Sequence, residues 1–327
     1  MSATTLVAVG ALVAAPCVLP AQGRETGARR APGTIVVSNE GGNSLTLIDA
    51  ATLTVTATIP VGRRPRGIAL APDGNRVYVA LGVDDAVAVV DLRQRRVVDR
   101  IPVGKDPEQV CVSPDGSTIF VSNEAIAATT AVEVGSHRVL FRTAVGKEPE
   151  GVAVSPDGTT LVVTAESDSS VEVVDAHSGA LRATIRVGER PRFAAFSRDG
   201  RRIALTTENG GTLHLIDPSA HSVVATLRIG DGTTKPTGVS WSPDGGTIWF
   251  ANGRANEVMI VDVATRNVTA TIPVGARPWG LALSPDGRTV YTADGRSNAV
   301  SVIDVPSRSR SDSVVVGERP YGVIVAP

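Results

Sequence analysis

Apolar residues along this chain come in short runs cut by turn residues, and the runs fall in sets of four. Gly67-Ile68-Ala69-Leu70 is closed by Pro72-Asp73-Gly74, Val77 to Ala80 follows, Val87 to Val90 ends at Asp91, and Val97 to Ile101 carries Asp99 and Arg100. Runs this short, with turn signals between them, read as strands, and four in succession read as an antiparallel meander. The two middle runs are apolar at every position, so both faces of the sheet must be covered. The fourth run is more polar, with Thr54, Thr56, Thr58, Arg96 and Arg100 on it and Pro60, Pro102 and Pro273 at its end. Charges and prolines of that kind keep an outer edge from pairing with another molecule.

The same frame returns along the whole chain. It reads VGRRPRGIALAPDG from Val61, VGKDPEQVCVSPDG from Val103, VGKEPEGVAVSPDG from Val145 and VGERPRFAAFSRDG from Val187. It continues as IGDGTTKPTGVSWSPDG from Ile229, VGARPWGLALSPDG from Val274 and VGERPYGVIVAP from Val316. The first glycines, Gly62, Gly104, Gly146, Gly188, Gly230, Gly275 and Gly317, are 42 residues apart except for one step of 45. A fixed period of this length is one supersecondary unit repeated, and stacking such units around an axis covers both faces of every sheet. Thr34 to Ser38 matches the second strand of a unit, with Leu45 to Ile48 and Val55 to Ile59 as third and fourth; the missing first strand is Gly322 to Ala326. The expected fold is all-β: a seven-bladed β-propeller over residues 34–327, built of four-stranded antiparallel blades. One blade is composite, with its innermost strand from the C-terminus and three strands from the N-terminus.

The unit P-x-G-V-A-V-S-P-D-G, V-Y-V-A-N, V-x-V-I-D, T-I-P-V-G is carried by Pro149 to Gly158, Val77 to Ala80, Val300 to Asp304 and Thr271 to Gly275. It resembles the YVTN-type repeat of surface-layer and exported bacterial β-propellers, a WD40-like architecture, from Thr34 to Pro327. The wider group it is similar to includes quinoprotein-like and haem-binding nitrite reductase propellers, lactonases and non-enzymatic binding proteins. The resemblance therefore implies a fold and leaves function to the site.

Composition adds three constraints. Hydrophobic residues make up 42% of the 327 and aromatics only 3%, so the apolar content is Val, Ile, Ala and Leu, suited to packed β surfaces. A net charge of −1 gives no general pull toward nucleic acid or an acidic membrane surface. Of the two cysteines, Cys17 lies in the leader and Cys111 sits between Val110 and Val112, with no C-x-x-C pair; Cys111 reads as a small buried side chain. Thr5 to Leu19 is apolar and followed by Pro20-Ala21-Gln22-Gly23, which predicts a signal peptide over residues 1–21 and a flexible linker over 22–33. The run is short for a membrane span. No Lys or Arg precedes it, which puts the start codon in question, and Pro16 before Cys17 weakens a lipoprotein reading. The expectation is an exported monomer, periplasmic or extracellular, with no transmembrane span once the leader is removed.

Strand order puts the P-D-G turns on one face and the V-G-x-x-P loops on the other. The residue after each loop proline should ring the channel mouth: Arg66, Glu108, Glu150, Arg192, Thr237, Trp279 and Tyr321. Four blades give a charged arc and three a neutral arc with two aromatics, and Arg66 is placed for a cation–π contact with Tyr321. The longer loop, Asp231 to Lys235, breaks the symmetry on the same face. The eight candidate ligand-binding residues are these seven and Lys235. Against that stands the reading in which the charges pair with one another and the aromatics cap the channel.

Catalysis finds few candidates. His137, His177 and His221 fall in turns of the opposite face and His214 in a third strand, so neither a haem ligand nor a His base is expected at the mouth. The innermost strands contribute Ala69, Cys111, Ala153, Ala195, Ser240 and Ala282, which predicts no carboxylate site for a metal inside the channel. Glu108 and Glu150 form a conceivable acid/base pair, although flanking arginines would keep both ionised. Glu40, Asp84, Asp85, Glu124, Glu166, Asp168 and Glu208 read as a solvated acidic rim that repels phosphate backbones. No catalytic residue, metal or cofactor is assigned. The expected function is binding of a peptide, glycan or protein ligand at the channel mouth. The alternative is a lactonase-type hydrolase or quinone-linked oxidoreductase.

Overall fold

A run closed by Ser-Pro-Asp-Gly has to turn back on itself, and the structure shows how. In this computed structural model, which describes residue 1, residues 30–230 and residues 234–327, the Gly245 N–H donates to Ser242 O at 2.9 Å and Ser242 Oγ donates to Asp244 at 2.6 Å. The turn glycine adopts φ between +68° and +75° in Gly74, Gly116, Gly158, Gly200, Gly245 and Gly287, a conformation that other residues reach only with strain. The aspartates ending the third strands also tie turns, as at Asp49, Asp91 and Asp262, each of which accepts a backbone N–H at 2.7 Å.

Among the described residues these turns string 28 strands into seven antiparallel sheets of four. Blade one comprises Pro65–Leu70, Arg76–Leu81, Ala86–Asp91 and Arg96–Pro102, paired in chain order. Blades two to six repeat this order. Blade seven is the composite: Pro320–Ala326 pairs with Thr34–Asn39, followed by Ser44–Asp49 and Val55–Pro60. Apart from Met1, the expected leader over 1–21 lies outside the described residues, as does most of the linker over 22–33. Among the described residues no helix is long and apolar enough to cross a membrane.

The core lies between blades. Val36, Leu45 and Leu47 of blade seven pack against Val77, Val79 and Leu81 of blade one, whereas Ile35 and Val37 pack toward Tyr291, Val300 and Val302 of blade six. Consecutive residues of a strand thus serve opposite neighbours, which is why the middle runs are apolar throughout. The fourth strands are the most exposed, and exposed and covered positions alternate along Arg96–Pro102 and Ser222–Arg228.

Candidate functional site at the channel mouth

Each innermost strand begins two residues earlier than its apolar run, at the loop proline, and carries a β-bulge there. The register slips between Pro65 and Ile68, Pro107 and Val110, Pro149 and Val152, and Pro191 and Ala194, with the same slip in the remaining blades. A bulge re-aims the side chain it displaces. Here the displaced residues are Arg66, Glu108, Glu150, Arg192, Thr237, Trp279 and Tyr321, and they meet at one opening.

Hydroxyls from the second strands fasten this layer to the next blade. Ser38 Oγ accepts from Gly322 N–H at 2.9 Å and donates to Arg66 O at 2.6 Å; Thr164 Oγ1 accepts from Gly151 N–H at 2.7 Å and donates to Arg192 O at 3.2 Å. Ser122 and Thr206 reach Glu150 O and Thr237 O in the same way. Between blades five and six the device is inverted, and Thr237 Oγ1 donates to Pro278 O at 3.1 Å. The glycine after the ring residue allows this approach: a Cβ on Gly238 would lie 2.5 Å from Trp279 O.

The ring closes through charge and then through aromatic faces. Arg66 pairs with Glu108 and stands 3.9 Å from Glu150, and Arg192 pairs with Glu150. Arg192 also reaches Glu166 at 3.1 Å and Glu208 at 2.8 Å. Glu208 accepts from Arg277 at 2.8 Å, whose guanidinium lies 4.2 Å over the Trp279 ring. Trp279 and Tyr321 centroids are 5.4 Å apart, and Arg66 sits 4.3 Å over Tyr321. The cation–π contact expected between Arg66 and Tyr321 is present. Burial alone would lift the Glu150 carboxyl, but Arg66 and Arg192 on either side outweigh it and hold it below the usual range. Burial pushes the Tyr321 phenol up to about 12.

All eight candidates come to this face, but they are not equally accessible. Arg66, Glu108, Glu150, Arg192, Thr237 and Tyr321 are buried, whereas Trp279 and Lys235 are half-buried, and Lys235 bonds Asn209. Two groups of residues escaped the sequence reading. The first is a second circle just before the prolines: Arg64, Asp106, Glu148, Arg190, Arg277 and Arg319 all have φ between +48° and +60°. Asparagine and aspartate side chains from neighbouring loops brace it, accepting the N–H of Arg64, Asp106, Arg277 and Arg319 at 2.8 to 3.1 Å. The 42-residue period marks these positions, but nothing in the sequence announces their left-handed backbone. The second is Phe193, which stands where most blades have the glycine. Its ring lies 6.2 Å from Tyr321, three blades on, and so fills the channel.

The acidic rim needs correction. Glu40, Glu166 and Glu208 do not face solvent as a rim; they turn inward to arginines, with Glu166 beside Arg190 and Arg192, and Glu40 at 3.6 Å from Arg64. Their position directly after the second strand places them over the mouth. Asp84 does stay outside, 2.6 Å from Arg63, and Asp85 bonds Lys105. The expectation that innermost strands lack carboxylates also fails, because those strands begin at the proline and include Glu108 and Glu150. Asp106, Glu108 and Glu124 even converge closely enough to suggest a cation site. Arg64 already bridges Asp106 at 2.6 Å and Glu108 at 2.7 Å, so two of these three carboxylates are taken up by a guanidinium, which makes the set a poor fit to a resident metal. His214 is buried in blade four, accepting from Gly188 N–H at 3.1 Å, with its pKa pushed down to about 4 by burial. His137 pairs with Asp99 at 2.8 Å, far from the mouth in the fold.

Two family models match parts of the chain: a YNCE-like β-propeller over residues 73–158 and a seven-bladed lactonase β-propeller over residues 182–311. No curated protein matches it. Among solved structures, a chain titled Kuenenia stuttgartiensis hydrazine synthase is 26% identical with a TM-score of 0.77, covering 87% of this chain and 98% of that one. A functionally unknown protein from Desulfotomaculum acetoxidans has 15% identity and a TM-score of 0.78, covering 90% and 99%. A protein from Lactobacillus plantarum also has 15% identity and a TM-score of 0.78, covering 91% and 100%. The last two likenesses concern the fold alone. Strand order, blade number and family matches lead to one statement: this chain is a seven-bladed β-propeller.

Proposed function

We propose that the chain is an exported, non-enzymatic binding protein that engages a peptide, saccharide or protein partner on the channel-mouth face. The observation that carries this reading is the division of one ring into a charged arc, Arg66 to Arg192, and an aromatic arc, Trp279 and Tyr321, each member held by a neighbour. In this reading the buried members Arg66, Glu108, Glu150, Arg192 and Thr237 act as a rigid base under a surface set before the ligand arrives. Trp279 supplies the stacking face, Tyr321 supports it from below, and Lys235 and Arg277 anchor the charged part of the ligand. Kinship with the YVTN-type exported propellers belongs to the same proposal, supported by the matching repeat at Pro149 to Gly158. So does a periplasmic or extracellular location, supported by the apolar leader.

The test is capture of peptide and glycan arrays by the full chain. Trp279→Ala should abolish capture while shifting the melt by only a few degrees, since that ring is half-buried. Capture that survives the substitution would remove the mouth as the binding face. The second reading is an enzyme, lactonase-type or quinone-linked, favoured by the lactonase match over 182–311 and by the hydrazine synthase likeness. Metal analysis and an absorbance spectrum of the purified protein separate the two, because a bound divalent ion or a visible chromophore would favour the enzyme.

A further inference from the structure

On the face opposite the mouth, five of the six turn glycines are covered by the proline of the preceding blade. A Cβ on Gly74 would meet Pro327 at 3.1 Å, on Gly116 Pro72 at 3.4 Å, on Gly158 Pro114 at 3.3 Å, on Gly200 Pro156 at 3.4 Å, and on Gly287 Pro243 at 2.9 Å. This circle of contacts is interrupted once. Blade four reads Ser-Arg-Asp-Gly, so Arg198 stands in the proline's place, and Gly245 of blade five has nothing within 4 Å of its Cβ position. A cavity of about 480 Å³ opens at that break, lined by Arg198, Asp199 and Arg202 from one blade and Trp241, Asp244 and Val263 from the next. Its size falls in the range of small-molecule sites.

Its chemistry is specific. Trp241 is half-buried, and its Nε1–H donates to Ala195 O at 2.9 Å, which fixes the plane of the indole. The same position holds Leu70, Val112, Val154, Phe196, Leu283 and Val325 in the other blades, so the indole is particular to this gap. Asp199 and Asp244 each spend Oδ1 on their own turn; among the described residues no hydrogen bond uses the Oδ2 of either. Arg202 is committed to Asp217 at 2.8 Å, whereas Arg198 makes no ion pair among the described residues. The lining therefore combines a flat apolar face, two carboxylate acceptors and a free guanidinium donor, and its two Asp and two Arg leave no net charge. An anion would meet the carboxylates and a cation would meet Arg198. A neutral ring with one apolar face and several hydroxyls satisfies every group.

We infer that this cavity is a binding site for a neutral sugar ring, a monosaccharide or the end unit of a glycan, laid on Trp241 with its hydroxyls on Asp199, Asp244 and Arg198. The site is separate from the mouth and does not depend on the function proposed there. The test is saturation-transfer NMR on the full chain with the methyl glycosides of glucose, galactose, mannose and N-acetylglucosamine, and with benzoate as a planar-anion probe. At least one glycoside should bind with a Kd on the order of 1 mM, as expected for a single small ring. Arg198→Pro restores the residue used in the other turns; it should close the gap and abolish the signal without lowering the melt. Asp244→Asn should weaken binding about tenfold by removing a charged acceptor, and Trp279→Ala should leave it unchanged. The inference is overturned if no glycoside binds, if binding survives Arg198→Pro or ignores Asp244→Asn, if Trp279→Ala removes it, or if benzoate binds in preference to the sugars.

Discussion

The single residues that decide most here are buried and charged or titratable. Glu150 lies between Arg66 and Arg192, so Glu150→Gln leaves two guanidiniums short of an anion in a water-poor site. The expected loss is about 3 kcal/mol in denaturant unfolding. His214 makes a complementary prediction at acid pH. Burial lowers its folded pKa to about 4, below the ordinary 6.5, so the unfolded chain takes up its proton first. The stability His214 contributes is complete above pH 6.5 and is lost as pH falls toward 4. Glu172 and Asp294, raised by burial, act in the opposite sense. The measurement is therefore a difference: the melting gap between the native chain and His214→Gln should shrink steadily between pH 6.5 and 4. A gap independent of pH would mean the imidazole is not held neutral.

At the scale of the element, the bulge beside the loop proline and the hydroxyl that accepts the N–H of Gln109, Gly151 or Gly322 form one device. Thr164→Val keeps the shape but strands Gly151 N–H and Arg192 O, and should cost about 1–3 kcal/mol in a chemical melt, more than the same change at an exposed fourth-strand threonine such as Thr56. The elements themselves were legible from the sequence, because Pro-Asp-Gly turns and apolar runs carry their own mechanical reasons. The ring positions Arg66 to Tyr321 were legible too, since a fixed period converts a register position into a place in space. What a period does not convey is backbone hand and reach across an axis. The left-handed Arg64, Asp106 and Arg277 were missed on the first count, and Phe193 opposite Tyr321 on the second. Glu166 was misplaced as a rim residue because its partners Arg190 and Arg192 belong to the next copy of the repeat, and Glu208 because it pairs with Arg192 across the strands of its own copy and with Arg277 two copies on; such pairing leaves no mark on the local sequence.

For the whole molecule, the composite blade predicts that deleting residues 321–327 lowers the melting temperature by about 10 °C or more, since it opens a sheet and removes Tyr321 from the mouth. An unchanged melt would argue that the seam between the termini bears little of the fold's stability. The two faces differ: one is sealed at its channel by charges and aromatics, and the other opens into cavities between blades, among them the one beside Trp241. The seam also has a consequence in time. During synthesis Thr34–Asn39 emerges well before its partner Pro320–Ala326, with six whole blades made in between. Its inner edge therefore stays open while those six blades are made, and a nascent or refolding chain carries a sticky flank that another chain can occupy first. Recovery from denaturant should accordingly fall as protein concentration rises.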